Sequence, residues 1–426
     1  MCGGEMCRLV SCIQKIPYYS TSVNGKGVES RRPGKENPML IINGTVHTMD
    51  GLTIPGGYVA IRGDKIAQVG PMEECPKDWE GRVFDAHGGH IAPGFIDAHC
   101  HLGMFGDGVG IEGDDGNEAT DPCTPHLRAV DAVNPLDRCF QEAREAGVTT
   151  VLTGPGSANP ISGQFAALKT NGKWVDAMVM KAPAAMKMAL GENPKLTYNE
   201  RHETPSTRMA TAAIIRENLH KALEYAEKLE KAEADEEEDK PDYDAKLEAL
   251  LPVINGELPV QIHAHRADDI FTSLRIAKEF DLDITLDHCT EGHLIADELE
   301  KEGKGCLVGP TFGAKSKFEL KNKCWDTPKT MVEHGLKTAI ITDAPVIPLE
   351  YLSLCAGLAV NAGLPEEEAW KAITINPAVI TGISDRVGSL EVGKDADVAI
   401  FRGNPITDLQ YTVAYTIIDG QIVHKG

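Results

Sequence analysis

The sequence predicts an α/β protein: a (β/α)8 TIM-like barrel carrying a small β-sandwich domain formed from both chain ends. Three observations carry that prediction. Short apolar runs recur eight times through the middle of the chain, most of them separated by helix-like patterns. The two ends share another texture, strand, turn, strand, with Asn-Gly, Asp-Gly and Gly-Asp turns. Histidine or aspartate also closes several of the eight apolar runs. Continuous apolar strands alternating with helices belong to a parallel sheet covered on both faces. Eight such strands fit a closed barrel.

Residues 1–36 lack the long apolar run of a secretory signal and read as an N-terminal extension with little structure. The eleven cysteines include no CxxC pair and read as reduced thiols of a cytoplasmic protein. Cys2, Cys7 and Cys12, spaced every five residues, leave open a metal or redox patch.

Met39 opens the β texture, in MLIINGTVHTMDG, GGYVAIRGDKIAQVG and GRVFDAHGG. It returns in GSLEVGKDADVAIFRGN and YTVAYTIIDGQIVHKG. Residues 37–92 and 369–426 are therefore assigned to a composite β-sandwich domain, and 93–368 to the barrel. The eight barrel runs span 94–102, 148–154, 163–169, 184–190, 259–265, 283–289, 305–311 and 337–344. Parallel β/α alternation is expected, although the connections on either side of the third run are short on helix. The gap between the fourth and fifth runs, roughly 70 residues, is longer than usual crossovers. It holds a predicted helix, TRMATAAIIRENLHKALEYAEKLEKAEA, and then an acidic run near 233–244. That run reads as a solvated loop at a helix end, because it lacks the spaced ligands and central glycine of a calcium loop.

The chain carries 64 acidic and 42 basic residues, a formal charge of -22. Such a surface argues against nucleic acid, whose backbone needs lysine and arginine patches. No run approaches the length of a membrane span. The expected partner is a small-molecule substrate, with a homo-oligomer possible.

Chemistry concentrates at the ends of the barrel runs. In His99-Cys100-His101 the two imidazoles share one face of a strand, because side chains alternate. The C-terminal end of a barrel strand is where active sites are built, and two imidazoles meeting there can grip a divalent metal. The fifth run ends in His263-Ala264-His265, the sixth in Asp287-His288 and the eighth in Thr342-Asp343. Buried core histidines would explain one such ending, not all four. In AAMKMALGENPK a lysine, Lys187, sits within an apolar strand, where lysine needs a partner. The glycine-rich TGPGSANPISGQ (153–164) reads as a pocket-shaping loop, since no GK[ST] follows.

These stretches, APGFIDAHCHLG, QIHAH, TLDHC, IITDA and the tail NPAVITGISDRVGSLEVGKDADVAIF, resemble the amidohydrolase superfamily of metal-dependent barrel hydrolases. The resemblance covers roughly residues 39–426 and is greatest to the imidazolonepropionase-like and Xaa-Pro dipeptidase-like branch. It implies metal ligands at His99, His101, His263, His288 and Asp343, with Asp343 also shuttling the proton. It implies a carbamate, formed from carbon dioxide on Lys187, bridging two metals. The competing reading of Lys187 is an ion pair with a nearby carboxylate, with one metal on His99, His101, His263 and Asp343. The cofactor is one or two divalent metals per chain, zinc by default because imidazole suits it; manganese or iron also fits. His265 faces the same side as His263 and is the alternative fifth-strand ligand or a substrate contact. His126, in DPCTPHLRAV, is either a pocket-mouth residue or part of a surface loop. Asp97 is a candidate to orient a ligand.

Ring-acting relatives of this kind carry a glutamate three residues after the fifth-strand histidine; here that position is Arg266. The departure weighs against ring deamination and imidazolone opening. Arg266 would meet a substrate carboxylate through a bidentate contact or simply start the next helix. The expected activity is hydrolysis of an amide-type C–N bond in a dipeptide, N-acyl amino acid or cyclic amide. The alternatives are a mononuclear deaminase or imidazolonepropionase-like ring hydrolase, and a non-catalytic barrel that binds without reacting.

Overall fold

The computed structural model describes residues 38–51, 53–106, 110–235 and 237–426. The extension with Cys2, Cys7 and Cys12 lies outside the described residues.

The chain opens with β1 (Met39–His47), β2 (Thr53–Arg62), β3 (Lys65–Pro71), β4 (Arg82–Asp85) and β5 (His90–Pro93). The barrel follows: β6 (Phe95–Cys100), α1 (Arg138–Glu145), β7 (Val148–Thr153), β8 (Ile161–Lys169) and β9 (Val179–Ala189). The long insertion is helical, with α2 (Glu192–Asn199), α3 (Arg208–Ala234) and α4 (Ala245–Ile254). Then come β10 (Val260–Ala264), α5 (Ala267–Phe280), β11 (Ile284–His288), α6 (Ala296–Glu302), β12 (Gly305–Val308), α7 (Asp326–Glu333) and β13 (Thr338–Ile340). Helices α8 (Leu352–Asn361), α9 (Glu366–Ala372) and α10 (Ile375–Ile380) lead to β14 (Val398–Arg402), β15 (Thr412–Ile418) and β16 (Gln421–Lys425).

Both chain ends meet in one continuous sheet, ordered β16-β15-β14-β5-β1-β2-β3, with β4 paired to β1. The sequence predicts a sandwich; the hydrogen bonds join these strands into one continuous sheet, and β3 also bonds to the segment before β14, where the Ile66 amide donates to the Lys394 carbonyl at 3.0 Å. Ile41, Val59, Ile61, Ile91, Val398 and Ile417 form its buried core.

The second sheet runs β6 to β13 in chain order. Its two edges approach each other just past the strand ends, where the His101 amide donates to the Ala344 carbonyl at 2.7 Å. The result is a nearly closed barrel. One strand departs from the parallel expectation: β8 is antiparallel to both β7 and β9. The reason is chain length. A parallel crossover needs a dozen or more residues, and residues 154–160 are too few. The reversal sends Lys169 to the end of the barrel opposite His99 and brings Gly163 opposite Lys187. A Cβ at Gly163 would lie 2.6 Å from the Leu127 carbonyl oxygen, and its φ of 141° also favours glycine.

The insertion packs as its pattern requires. In α3, Ala212, Ile215, Leu219, Ala222 and Ala226 are buried along one stripe, and each buried Ile or Leu contributes roughly 1.5–3 kcal/mol. Thr207 caps its start by accepting from the Ala210 amide. The acidic run joins α3 to α4, and Asp244 caps α4 through the Lys246 and Leu247 amides.

Candidate metal centre

The side chains of the centre are set by strand register. Lys187 pairs across the sheet with Gln261, and His263 with Asp287. Side chains alternate along a strand, so Lys187, Gln261, His263 and Asp287 all point into the barrel. By that rule His288 would face away. Instead β11 ends in left-handed backbone at His288 (φ 75°) and Cys289 (φ 45°), a conformation non-glycine residues adopt at a cost of order 1–3 kcal/mol. This twist brings the His288 ring to 4.3 Å from that of His263 and 5.2 Å from that of His99, centroid to centroid. Asp343, just past β13, is held the same way (φ 57°). Asp97 anchors that turn: it accepts from the Thr342 amide at 2.9 Å, the Thr342 hydroxyl at 2.6 Å and the His99 amide at 3.0 Å. Burial raises its pKa to about 6, against those three hydrogen bonds.

Three of the site's histidines hold Nδ1 against a carbonyl oxygen. His99 Nδ1 lies 3.1 Å from Gln261 Oε1, whose own amide donates to the Ala98 carbonyl. His101 Nδ1 faces the Gly154 carbonyl and His288 Nδ1 the Gly309 carbonyl, each at 2.7 Å. A carbonyl can only accept, so Nδ1 carries the proton and Nε2 keeps its lone pair. Those lone pairs turn inward. His101 Nε2 is 3.1 Å and His99 Nε2 3.5 Å from Asp343 Oδ1. Burial first, and the charge of Lys187 or neighbouring imidazoles after it, holds His99, His263 and His288 well below the usual histidine range. Their low pKa favours the neutral imidazole, the form a metal would require.

Among the described residues, two groups of donors each have their ligand atoms within 4.8 Å of one another: His99, His288 and Asp343, and His263, His265 and His288. Buried polar atoms usually have a partner, yet His263 Nδ1, His288 Nε2 and Asp343 Oδ1 are buried without a hydrogen bond. Imidazoles of fixed tautomer with unsatisfied atoms converging on a carboxylate fit a divalent cation.

Lys187 is wholly buried, with Nζ 2.8 Å from Asp287 Oδ2 and 3.4 Å from His99 Nε2. His265 is buried beside His288, its Nδ1 2.7 Å from the Thr290 hydroxyl. Arg266 precedes α5; its guanidinium is bidentate to Asp268 and stacks over Phe318. That pairing occupies the face that would meet a substrate carboxylate. His126 lines a cavity of about 300 Å³ with Met104, Gly156 and Asn159, and no member of either donor group lines it.

Sequence reasoning missed four participants. Gln261 was open to the period-two rule, since it shares a strand face with His263. Asp287 is named in the ending of the sixth run, but not as the carboxylate that pairs with Lys187. Glu192 and Glu319 carried no signal: Glu319 lies in a lysine-rich loop, SKFELKNK, yet is wholly buried. Its Oε1 lies 3.7 Å from Nε2 of both His263 and His265.

A family model described as "Amidohydrolase family" matches residues 90–423. Amidohydrolase tasK of Hapsidospora irregularis is 28% identical over 420 residues, which cover 88% of this chain and 42% of that protein. The chain thus spans less than half the length of that relative. An imidazolonepropionase from Symbiobacterium thermophilum is 25% identical, with 88% of this chain and 91% of that protein covered. The crystal structure of an amidohydrolase from Thermotoga maritima MSB8 superposes with a TM-score of 0.87 at 40% identity, over 91% of this chain and all of that one (100%).

Proposed function

The chain belongs to the amidohydrolase family; from that premise we propose that it is a hydrolase of carbon–nitrogen bonds that cleaves an amide-type bond with the help of divalent metal held at the barrel mouth. The observation that carries this reading is the set of three imidazoles, His99, His101 and His288, each protonated on the outer nitrogen and turned toward Asp343. His99, His101 and Asp343 would hold one cation. His263 and His288 would hold a second, bridged by Lys187 as a carbamate. Bound metal supplies Lewis acidity to water and to the substrate carbonyl, and zinc suits the imidazole-rich set.

The remaining chemistry belongs to the chain's own residues. Asp343 Oδ1 has no hydrogen-bond partner and is free to take a proton from water and return it to the leaving nitrogen. Asp97 keeps that carboxylate in place through Thr342. His265, with Nδ1 held by Thr290, presents Nε2 as a substrate contact. Arg266 joins it only if a substrate carboxylate displaces Asp268, and His126 would act from the neighbouring cavity. Dipeptides, N-acyl amino acids and cyclic amides all suit such a site.

A second reading has an observation of its own. The 2.8 Å contact between Lys187 and Asp287 suits a protonated lysine, which cannot add carbon dioxide. One cation would then serve, as in a deaminase or imidazolonepropionase-like ring hydrolase. Metal analysis of the purified protein, followed by a screen of dipeptides, N-acyl amino acids, cyclic amides and aminated rings, separates these readings. Two ions per chain, falling to one in Lys187→Ala, support the carbamate. One ion, with activity kept in Lys187→Ala, supports the second reading. No uptake of zinc or manganese leaves a barrel that binds without catalysing.

A further inference from the structure

Outside the residues just assigned, one buried carboxylate faces the centre. Glu319 sits in the loop after β12, wholly buried. Its Oε2 accepts the Glu192 amide at 3.0 Å, at the start of α2, while Glu192 Oε2 accepts the Glu319 amide at 3.0 Å. This reciprocal clamp ties the loop that follows Lys187 to the loop that follows β12. Gly191 makes room for it: its φ is 87°, and a Cβ there would lie 3.0 Å from Glu319 Oε2. The helix N-terminus adds a favourable field for the carboxylate. The other oxygen, Oε1, has no hydrogen bond and sits equidistant, 3.7 Å, from Nε2 of His263 and of His265.

We propose that Glu319 is a positioning residue: it takes the Nε2 proton of His263, and so leaves His263 Nδ1 as the lone pair offered to a cation. This rests on the reading of His263 as a metal ligand. A ligating histidine characteristically gives its other N–H to a carboxylate or carbonyl, which fixes its tautomer. For His99, His101 and His288 an amide or carbonyl oxygen does this work. For His263, among the described residues, no carbonyl is in place, its Nδ1 is unpartnered, and Glu319 is the acceptor that lies beside Nε2. Catalytic contacts left long in the empty site tighten when it is loaded. One competitor stands at the same nitrogen: Asn193 Nδ2, 3.5 Å away, which already donates to Ser157 at 2.7 Å. A charge-assisted bond to a carboxylate is roughly twice as strong as a neutral one, so Glu319 prevails. His265 has the same choice, its Nδ1 being served by the Thr290 hydroxyl.

Glu319→Gln tests this without disturbing the clamp, since its carbonyl can still accept the Glu192 amide. The new NH2 group would face His263 Nε2 and drive the proton to Nδ1. In metal-free wild-type protein, imidazole 15N spectra assigned with His263→Gln should show His263 protonated on Nε2, and Glu319→Gln should reverse it. Calorimetric titration with zinc should show one cation bound about 10–100-fold more weakly in Glu319→Gln. Glu192→Gln, which keeps an acceptor for the Glu319 amide, should bind as wild type does. Wild-type His263 protonated on Nδ1, or equal zinc affinity in wild type and Glu319→Gln, overturns the assignment. So does an equal weakening in Glu192→Gln, which would trace the effect to the loop. If wild type takes up no cation at all, the metal reading itself fails, and the tautomer spectrum still reports the contact.

Discussion

Lys187 Nζ lies 2.8 Å from Asp287 Oδ2, and both side chains are wholly buried. Burial pushes the Asp287 carboxyl up, and Lys187 pulls it back down. Removing one member of such a pair leaves the other buried and unpaired, at a cost of about 3–5 kcal/mol, whereas replacing both with apolar groups is often neutral. Lys187→Met and Asp287→Leu should each destabilise by about that amount, and the double variant by far less than the sum. Urea denaturation of metal-free protein in a double-mutant cycle checks it. Additive losses would mean the two groups do not depend on each other.

Gln261 holds His99 by its Nδ1 and is itself held by the Ala98 carbonyl. Gln261→Leu keeps the volume but frees the His99 tautomer. The expected result is a 10–100-fold loss of cation affinity, read by zinc titration, with the far-ultraviolet spectrum unchanged. Affinity equal to wild type would show that Gln261 only fills space.

The divide between what the sequence discloses and what it hides follows from range. The HxH pair, the strand-end histidines, Lys187 and the long insertion helix are local: period two and period 3.6 expose them directly. The reversal of β8 is local too, since its short flanking loops forbid a parallel crossover, but eight similar apolar runs outweighed that signal. The inward turn of His288 depends on a left-handed backbone that no residue type there announces. Glu319 is further from view. Its burial depends on Glu192, which is 127 residues away, and a glutamate among lysines otherwise reads as surface.

Lys169, delivered to the far end of the barrel by that reversal, meets three aspartates: Asp397 at 2.5 Å, Asp395 at 3.0 Å and Asp419 at 3.4 Å. Burial disfavours its charge, but Asp397, Asp419 and Asp395 outweigh it and raise its pKa. A raised lysine contributes stability that is present below its unfolded pKa and is lost as pH rises through the folded one. Lys169→Met should therefore cost about 3–5 kcal/mol near neutrality, measured by chemical denaturation. It should also remove part of the alkaline loss of stability. A cost below about 1 kcal/mol, the range of an exposed pair, would mean that solvent screens the cluster.

Acid should destabilise the protein partly through His47. Its ring stacks on Trp370 with centroids 4.2 Å apart, and its Nε2 is 2.8 Å from His90 Nδ1. It is 7% exposed, and burial, followed by repulsion from His90, lowers its pKa to about 4. In the unfolded chain the same ring binds a proton near pH 6.5. Between those two values the unfolded state holds the extra proton, so stability rises with pH there. The contribution is complete above about pH 6.5 and is lost as pH falls toward 4, by about 2–3 kcal/mol. His47→Phe keeps the stack on Trp370 and has no proton to bind. The slope of unfolding free energy between pH 6.5 and about pH 4 should be shallower in His47→Phe than in wild type. His99, His263, His265 and His288, which burial also holds low, titrate with the same sign, so the comparison is made between variant and wild type at each pH, in metal-free protein. Parallel slopes in the two proteins would show that His47 is protonated in the native state as readily as in the unfolded chain.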